Sequence, residues 1–152
     1  MVKMQPFDTR SGARITAPPR QQVAALCWRK EKGRKEVLLI TSRDTGRWIV
    51  PKGWPMKGLS DAQAAMREAW EEAGVRATTD RARRVGTFYY DKGLDDGSDL
   101  PVVADVYKVR LRDGDLADRF PEVGQRKRAW VASKKAAKMV DEPALRTLLR
   151  SL

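Results

Sequence analysis

The sequence predicts an α/β fold in which a mixed β-sheet is flanked by helices. Short apolar, β-branched runs such as VAALCW and EVLLIT alternate with charged, Gly- or Pro-containing turns, the pattern of strands. Among them, after the loop Pro51-Lys52-Gly53, stands one strongly signalled helix, and two further helical segments close the chain.

Residues 1–19 are polar and end in Ala17-Pro18-Pro19, so they read as an extended arm ahead of a single domain over residues 20–152. Residues 21–29 and 36–42 read as strands joined by a charged turn over 30–35. Residues 47–50 form a short strand entering the Pro51-Lys52-Gly53 loop. Strands over 84–90 and 102–111 are separated by the turn-rich stretch 91–101 (DKGLDDGSDLP), and 127–131 is the last strand. Residues 133–139 and 142–150 read as helices, with Ser133 and Asp141 as their caps.

The helix over residues 61–73 is framed more fully than the others. Ser60 stands at the N-cap, and Gln63 completes a capping box. Ala62, Met66, Ala69 and Ala73 share a face that packs inward, and Gly74 is a C-terminal stop. Glu68, Glu71 and Glu72 lie three and four residues apart, so they project within an arc of roughly 100°. Carboxylates this crowded repel unless a cation sits between them. Mg²⁺ takes oxygen ligands and commonly bridges to substrate phosphates. The plain alternative is a solvated Glu-rich face.

Residues 53–75 (GWPMKGLSDAQAAMREAWEEAGV) resemble the Nudix box, G-x5-E-x7-R-E-U-x-E-E-x-G-U, with U a bulky aliphatic residue. Gly53, Arg67, Glu68, Glu71, Glu72, Gly74 and Val75 fall in register, while Leu59 replaces the first Glu and Ala69 is a small version of the aliphatic position. The stretches RQQVAALCWR, EVLLITSRDTGRWIVPKG and RKRAWV are similar to the diphosphoinositol polyphosphate and diadenosine polyphosphate phosphohydrolases of that superfamily.

That resemblance implies a Nudix-type α/β/α sandwich and hydrolysis of phosphoanhydride bonds with Mg²⁺, or Mn²⁺ in its place. It points to Glu68, Glu72 and the Lys52 carbonyl as metal ligands. Glu71 is the implied base, although related enzymes use the Glu68 position, and the two assignments stay open here. Arg20, Thr41, Ser42, Arg43, Arg126 and Arg128 are the implied phosphate contacts, each with the alternative of a solvated strand end. Relatives that use inositol pyrophosphates carry a basic trio where this chain has Arg20-Gln21-Gln22. Arg67 is expected to be structural, Trp48 and Trp70 to pack, Trp54 to pack unless it contacts ligand from its loop beside the helix, and Glu122 to be a loop carboxylate unless it supplies a further metal ligand.

Composition narrows the chemistry. With 152 residues the chain is long enough for one domain with a real core. It contains no histidine, which excludes Ser-His and Cys-His catalysis and His-ligated zinc. Its one cysteine, Cys27, lies in an apolar run and reads as a buried thiol. The net charge of +11 suggests a polyanionic small-molecule partner. Nucleic acid ranks second, because no recognition motif is present. No apolar run is long enough to span a membrane and no signal peptide is recognised, so a cytoplasmic location is expected. Two other readings remain: a nucleotide-pool or ADP-ribose Nudix pyrophosphatase, and a non-catalytic nucleotide- or RNA-binding Nudix domain, which Leu59 permits.

Overall fold

A computed structural model describes residues 18–152, so the expected arm lies almost wholly outside the described residues. In chain order the elements are β1 (Arg20–Glu31), β2 (Arg34–Thr41), β3 (Trp48–Ile49), β4 (Lys52–Gly53), α1 (Asp61–Ala73), β5 (Arg83–Gly93), β6 (Asp99–Arg110), β7 (Arg128–Ala132), α2 (Ser133–Met139) and α3 (Pro143–Arg150). A single turn of 3-10 helix, Thr79–Arg81, precedes β5.

The sheet is mixed. β1 runs parallel to β6 from Arg20↔Val102 to Trp28↔Arg110, and every other pairing is antiparallel. β1 and β2 pair only near their hairpin, from Glu31↔Arg34 to Trp28↔Val37. Residues 48–53 occupy the gap where the two strands part. Ile49 pairs with Ile40 of β2, and Lys52–Gly53 pairs with Val23–Ala24 of β1. This split brings the loop before α1 into the middle of the sheet.

β1 is buried on both faces, which explains why VAALC reads as a continuous apolar run rather than an alternating one. Val23, Ala25 and Cys27 face α1 with Leu38, Ile40, Met66 and Ala69. Ala24 and Leu26 face α2 and α3 with Leu39, Phe88, Val106, Leu145 and Leu149. Two helical layers therefore enclose the sheet, giving the expected α/β/α sandwich. Burial pushes the Cys27 thiol up to about 12. Among the described residues no helix is long and apolar enough to cross a membrane.

Several boundaries differ from expectation. The β1–β2 strands extend into the charged segment, leaving a turn of Lys32 and Gly33, both with positive φ (50° and 77°), as a two-residue hairpin requires. β5 and β6 likewise extend to Gly93↔Asp99 and shorten the loop between them. There Asp96 Oδ1 accepts the Ser98 N–H (2.9 Å), a local turn bond that apolar patterning does not reveal. Ser133 and Asp141 are not caps. Ala132 and Glu142 hold those positions without side-chain capping bonds, and Asp141 instead pairs with Arg47 (2.9 Å).

Candidate active site

α1 is fixed at both ends. The Ser60 hydroxyl accepts the Gln63 N–H (3.1 Å), and the Ser60 N–H donates to Gln63 Oε1 (2.8 Å), forming the capping box. Gly74 ends the helix in the left-handed region (φ 75°) and donates to the Trp70 carbonyl (3.0 Å). A Cβ there would also meet Phe120 at 2.6 Å and the Ala117 carbonyl at 2.9 Å. With α1 so anchored over the sheet, the Glu68 and Glu72 side chains meet β4.

Glu72 is 6% exposed. Its Oε1 accepts the Lys52 N–H (3.3 Å) and lies 3.9 Å from Arg126 Nη2. Glu68 fits against Gly53, where the missing Cβ leaves room for its carboxylate. The two carboxyls lie side by side, within reach of each other's charge. Burial first, then Glu72, Glu71 and Glu122, push Glu68 up to about 9. Burial also raises Glu72, against the pull of Arg126 and Lys52. Two crowded carboxyls whose burial disfavours their charged forms are suited to a divalent cation. The Lys52 N–H contact brings that residue's main chain beside the pair, where a carbonyl ligand is expected. Among the described residues no three acidic or thiol side chains converge into a ready-made cage, so this donor set consists of two carboxylates plus main chain.

The pair opens into a cleft of about 240 Å³ lined largely by polar side chains, among them Gln22, Ser42, Arg43, Lys52, Trp54, Tyr90, Lys92 and Arg126. Arg126 is nearly buried and knits the wall together. Its Nε and Nη2 reach Glu122 Oε1 (3.2 and 3.1 Å), and its Nη1 donates to the Thr41 carbonyl (3.1 Å). Arg43 is more open, donating to Gln125 Oε1 (3.0 Å). Burial lowers Lys52 to about 8, with Glu72 and Glu142 opposing the shift, and its ammonium sits 4.9 Å from the Tyr90 ring centroid. The Tyr90 hydroxyl donates to Gln22 Oε1.

The expected residues divide accordingly. Glu68, Glu72, Lys52, Ser42, Arg43 and Arg126 line the cleft. Arg20 reaches it through Trp54, its guanidinium stacking 5.1 Å from the indole centroid. Trp54 is therefore a rim residue, 36% exposed, rather than packed core. Glu71 does not line the cleft; its carbonyl accepts the Glu122 N–H (3.0 Å), and its charge acts on Glu68. Thr41 is buried, its hydroxyl accepting the Lys127 N–H (3.0 Å). Arg128 is not brought to the cleft. Its Nη1 donates to the carbonyls of Ala73 (2.7 Å) and Ala117 (2.8 Å), closing the end of α1.

Some residues in or near the cleft are not legible in the sequence. Lys92 and Tyr90 share a face of β5, a signal hidden by assigning Lys92 to a loop. Glu142 is buried beside Arg47 (3.3 Å), and its Oε1 has no hydrogen-bond partner among the described residues. Leu59 and Arg67 lie together with Trp70 in a separate groove on another face of α1, consistent with a non-catalytic place for Arg67.

A split mixed sheet carrying a capped acidic helix over a cation-lined cleft defines an α/β protein of the Nudix kind. The chain belongs to that family: the NUDIX domain model matches residues 18–152. Human diphosphoinositol polyphosphate phosphohydrolase 2 is 36% identical over 81 residues, covering 53% of this chain and 44% of the relative. The human 3-alpha form is 39% identical over 83 residues, covering 53% and 48%. The chain's match thus spans about half the length of these relatives. A binary complex of the Caenorhabditis elegans Ap4A hydrolase superposes with a TM-score of 0.60 at 25% identity, covering 86% of this chain and 93% of that one.

Proposed function

We propose that this protein is a Mg²⁺-dependent hydrolase of phosphoanhydride bonds in a polyphosphorylated small molecule, a diadenosine polyphosphate or a diphosphoinositol polyphosphate. The observation that carries this reading is the paired Glu68 and Glu72 carboxyls sharing one cleft with Lys52, Arg43, Lys92 and Arg126. Acid on one side and base on the other suit a cation and a phosphate chain bound together. When bound, Mg²⁺ or Mn²⁺ supplies charge neutralisation and a more acidic water.

The chain's own residues do the rest. Glu68 and Glu72 hold the cation with the Lys52 main chain. Arg43 and Lys92 grip phosphate oxygens, and Arg126 keeps Glu72 and Glu122 in register. Removal of the water's proton falls to Glu71 in the family pattern. Glu68 is the second candidate because, unlike Glu71, it lines the cleft. The departing phosphate is a weak base, so no general acid is required and the absence of histidine is no obstacle.

One observation favours the diadenosine substrate. Gln21 and Gln22, which stand where inositol-pyrophosphate users carry basic residues, are engaged with Asp105 and Tyr90. The Trp54 rim with Arg20 stacked on it offers a flat surface for a base. The test is turnover of diadenosine polyphosphates, diphosphoinositol polyphosphates, ADP-ribose and nucleoside triphosphates with and without Mg²⁺, with products read by mass. Cleavage of a polyphosphate only with metal is expected. Turnover of ADP-ribose or nucleoside triphosphates alone would reassign the substrate, and no turnover of any compound would leave a binding domain.

A further inference from the structure

Far from the cleft, the α2/α3-facing side of the sheet becomes cationic. Past Leu26 on β1, Val106 on β6 and Val37 on β2, the rows continue as Trp28, as Lys108 with Arg110, and as Lys35. Arg110 Cζ lies 5.1 Å, Lys35 Nζ 5.4 Å and Lys108 Nζ 5.9 Å from the Trp28 ring centroid. Among the described residues none of the three has an ion pair with an acidic side chain, whereas nearby Arg29 pairs with Glu36 (2.8 Å) and Arg84 with Asp105 (3.0 Å). The ring attracts each cation, while the cations repel one another. The hairpin beside them adds Lys30, Lys32 and Arg34, all exposed.

We propose that this end of the sheet binds single-stranded nucleic acid, with phosphates on Lys35, Lys108 and Arg110 and a base against Trp28. Cations tracking a backbone around an aromatic platform are the elements of sequence-tolerant single-strand binding. A bilayer fits less well, because none of the exposed large apolar side chains is on β1, β2 or β6. The surface is separate from the cleft: Trp28 is six residues along β1 from Gln22, roughly 20 Å at the usual rise. The absence of a motif excludes sequence-reading modules, not a charged stacking surface.

The test is fluorescence anisotropy of a labelled oligo(U) strand over a salt series, with the full chain. The triple variant Lys35→Gln/Lys108→Gln/Arg110→Gln is expected to weaken binding about tenfold or more at low salt. It should also flatten the log K against log salt slope by about 2, three contacts at about 0.7 each. Trp28→Leu is expected to weaken binding with the slope retained. Unchanged melting and unchanged turnover at the cleft would show that both variants are folded. Equal oligonucleotide affinity in wild type and triple variant overturns the proposal, as does binding of heparin or anionic vesicles without binding of the strand.

Discussion

The Glu68 carboxyl packs on the Cα of Gly53 so closely that a Cβ there would overlap it, with Glu68 Oε2 only 2.7 Å away. The φ of Gly53 is not in the left-handed region, so backbone strain does not dictate glycine here. Gly53→Ala should therefore fold but displace Glu68. A loss of about 10–100-fold in divalent-ion affinity is expected, the scale seen when ligand-orienting groups are removed. Calorimetric titration with Mg²⁺ checks it, and unchanged affinity would separate Glu68 from the ion.

Glu72→Gln keeps an acceptor for the Lys52 N–H but removes one charge from the buried pair. The variant is expected to melt no lower than wild type without metal and to lose about 100-fold or more in kcat. Glu71→Gln and Glu68→Gln, compared at saturating Mg²⁺, separate the base from the ligand. The base variant loses kcat with metal affinity retained, while the ligand variant loses both.

The raised Glu68 carboxyl makes metal binding and stability depend on pH. Glu68 is raised from its ordinary 4.5 to about 9, so between those values the folded chain holds a proton that the unfolded chain has released. Metal-free stability should then fall as pH rises through that window, and Mg²⁺, which requires deprotonated ligands, should bind more tightly with rising pH and displace protons. Melting curves at about pH 6 and 8, with chelator or excess Mg²⁺, test the sign: the stabilisation by Mg²⁺ should be larger at pH 8.

Arg43 and Arg128 should separate cleanly. Arg43→Ala removes an open guanidinium from the cleft and is expected to raise KM several-fold more than it lowers kcat. Arg128→Ala leaves the carbonyls of Ala73 and Ala117 without their donor and is expected to cost about 1–3 kcal/mol of stability, with KM unchanged. A raised KM in Arg128→Ala would return that residue to the substrate site.

The acidic helix is legible in the sequence because its signals are local. Ser60 with Gln63, the alanine face and Gly74 act within a few residues of one another. The sandwich follows from β1, whose unbroken apolar run demands cover on both faces. What escapes is set by long-range partners. Asp141 looks like a cap until Arg47, far away in sequence, claims it. Arg128 looks like a phosphate ligand until the turn of chain at Ala117 supplies carbonyls for it. Trp54 reads as core because composition says nothing of the split between β1 and β2 that leaves it on a rim. The Trp28 cluster is invisible for the same reason, since only the parallel register with β6 brings Lys108 and Arg110 alongside.

The most direct measurement is Mn²⁺ uptake followed by electron paramagnetic resonance, with a non-hydrolysable diadenosine polyphosphate present, in wild type and in Glu68→Gln/Glu72→Gln. Ion bound by the wild type and largely released by the double variant is expected. Equal uptake by both proteins, or none by the wild type, would contradict a cation held by this carboxyl pair.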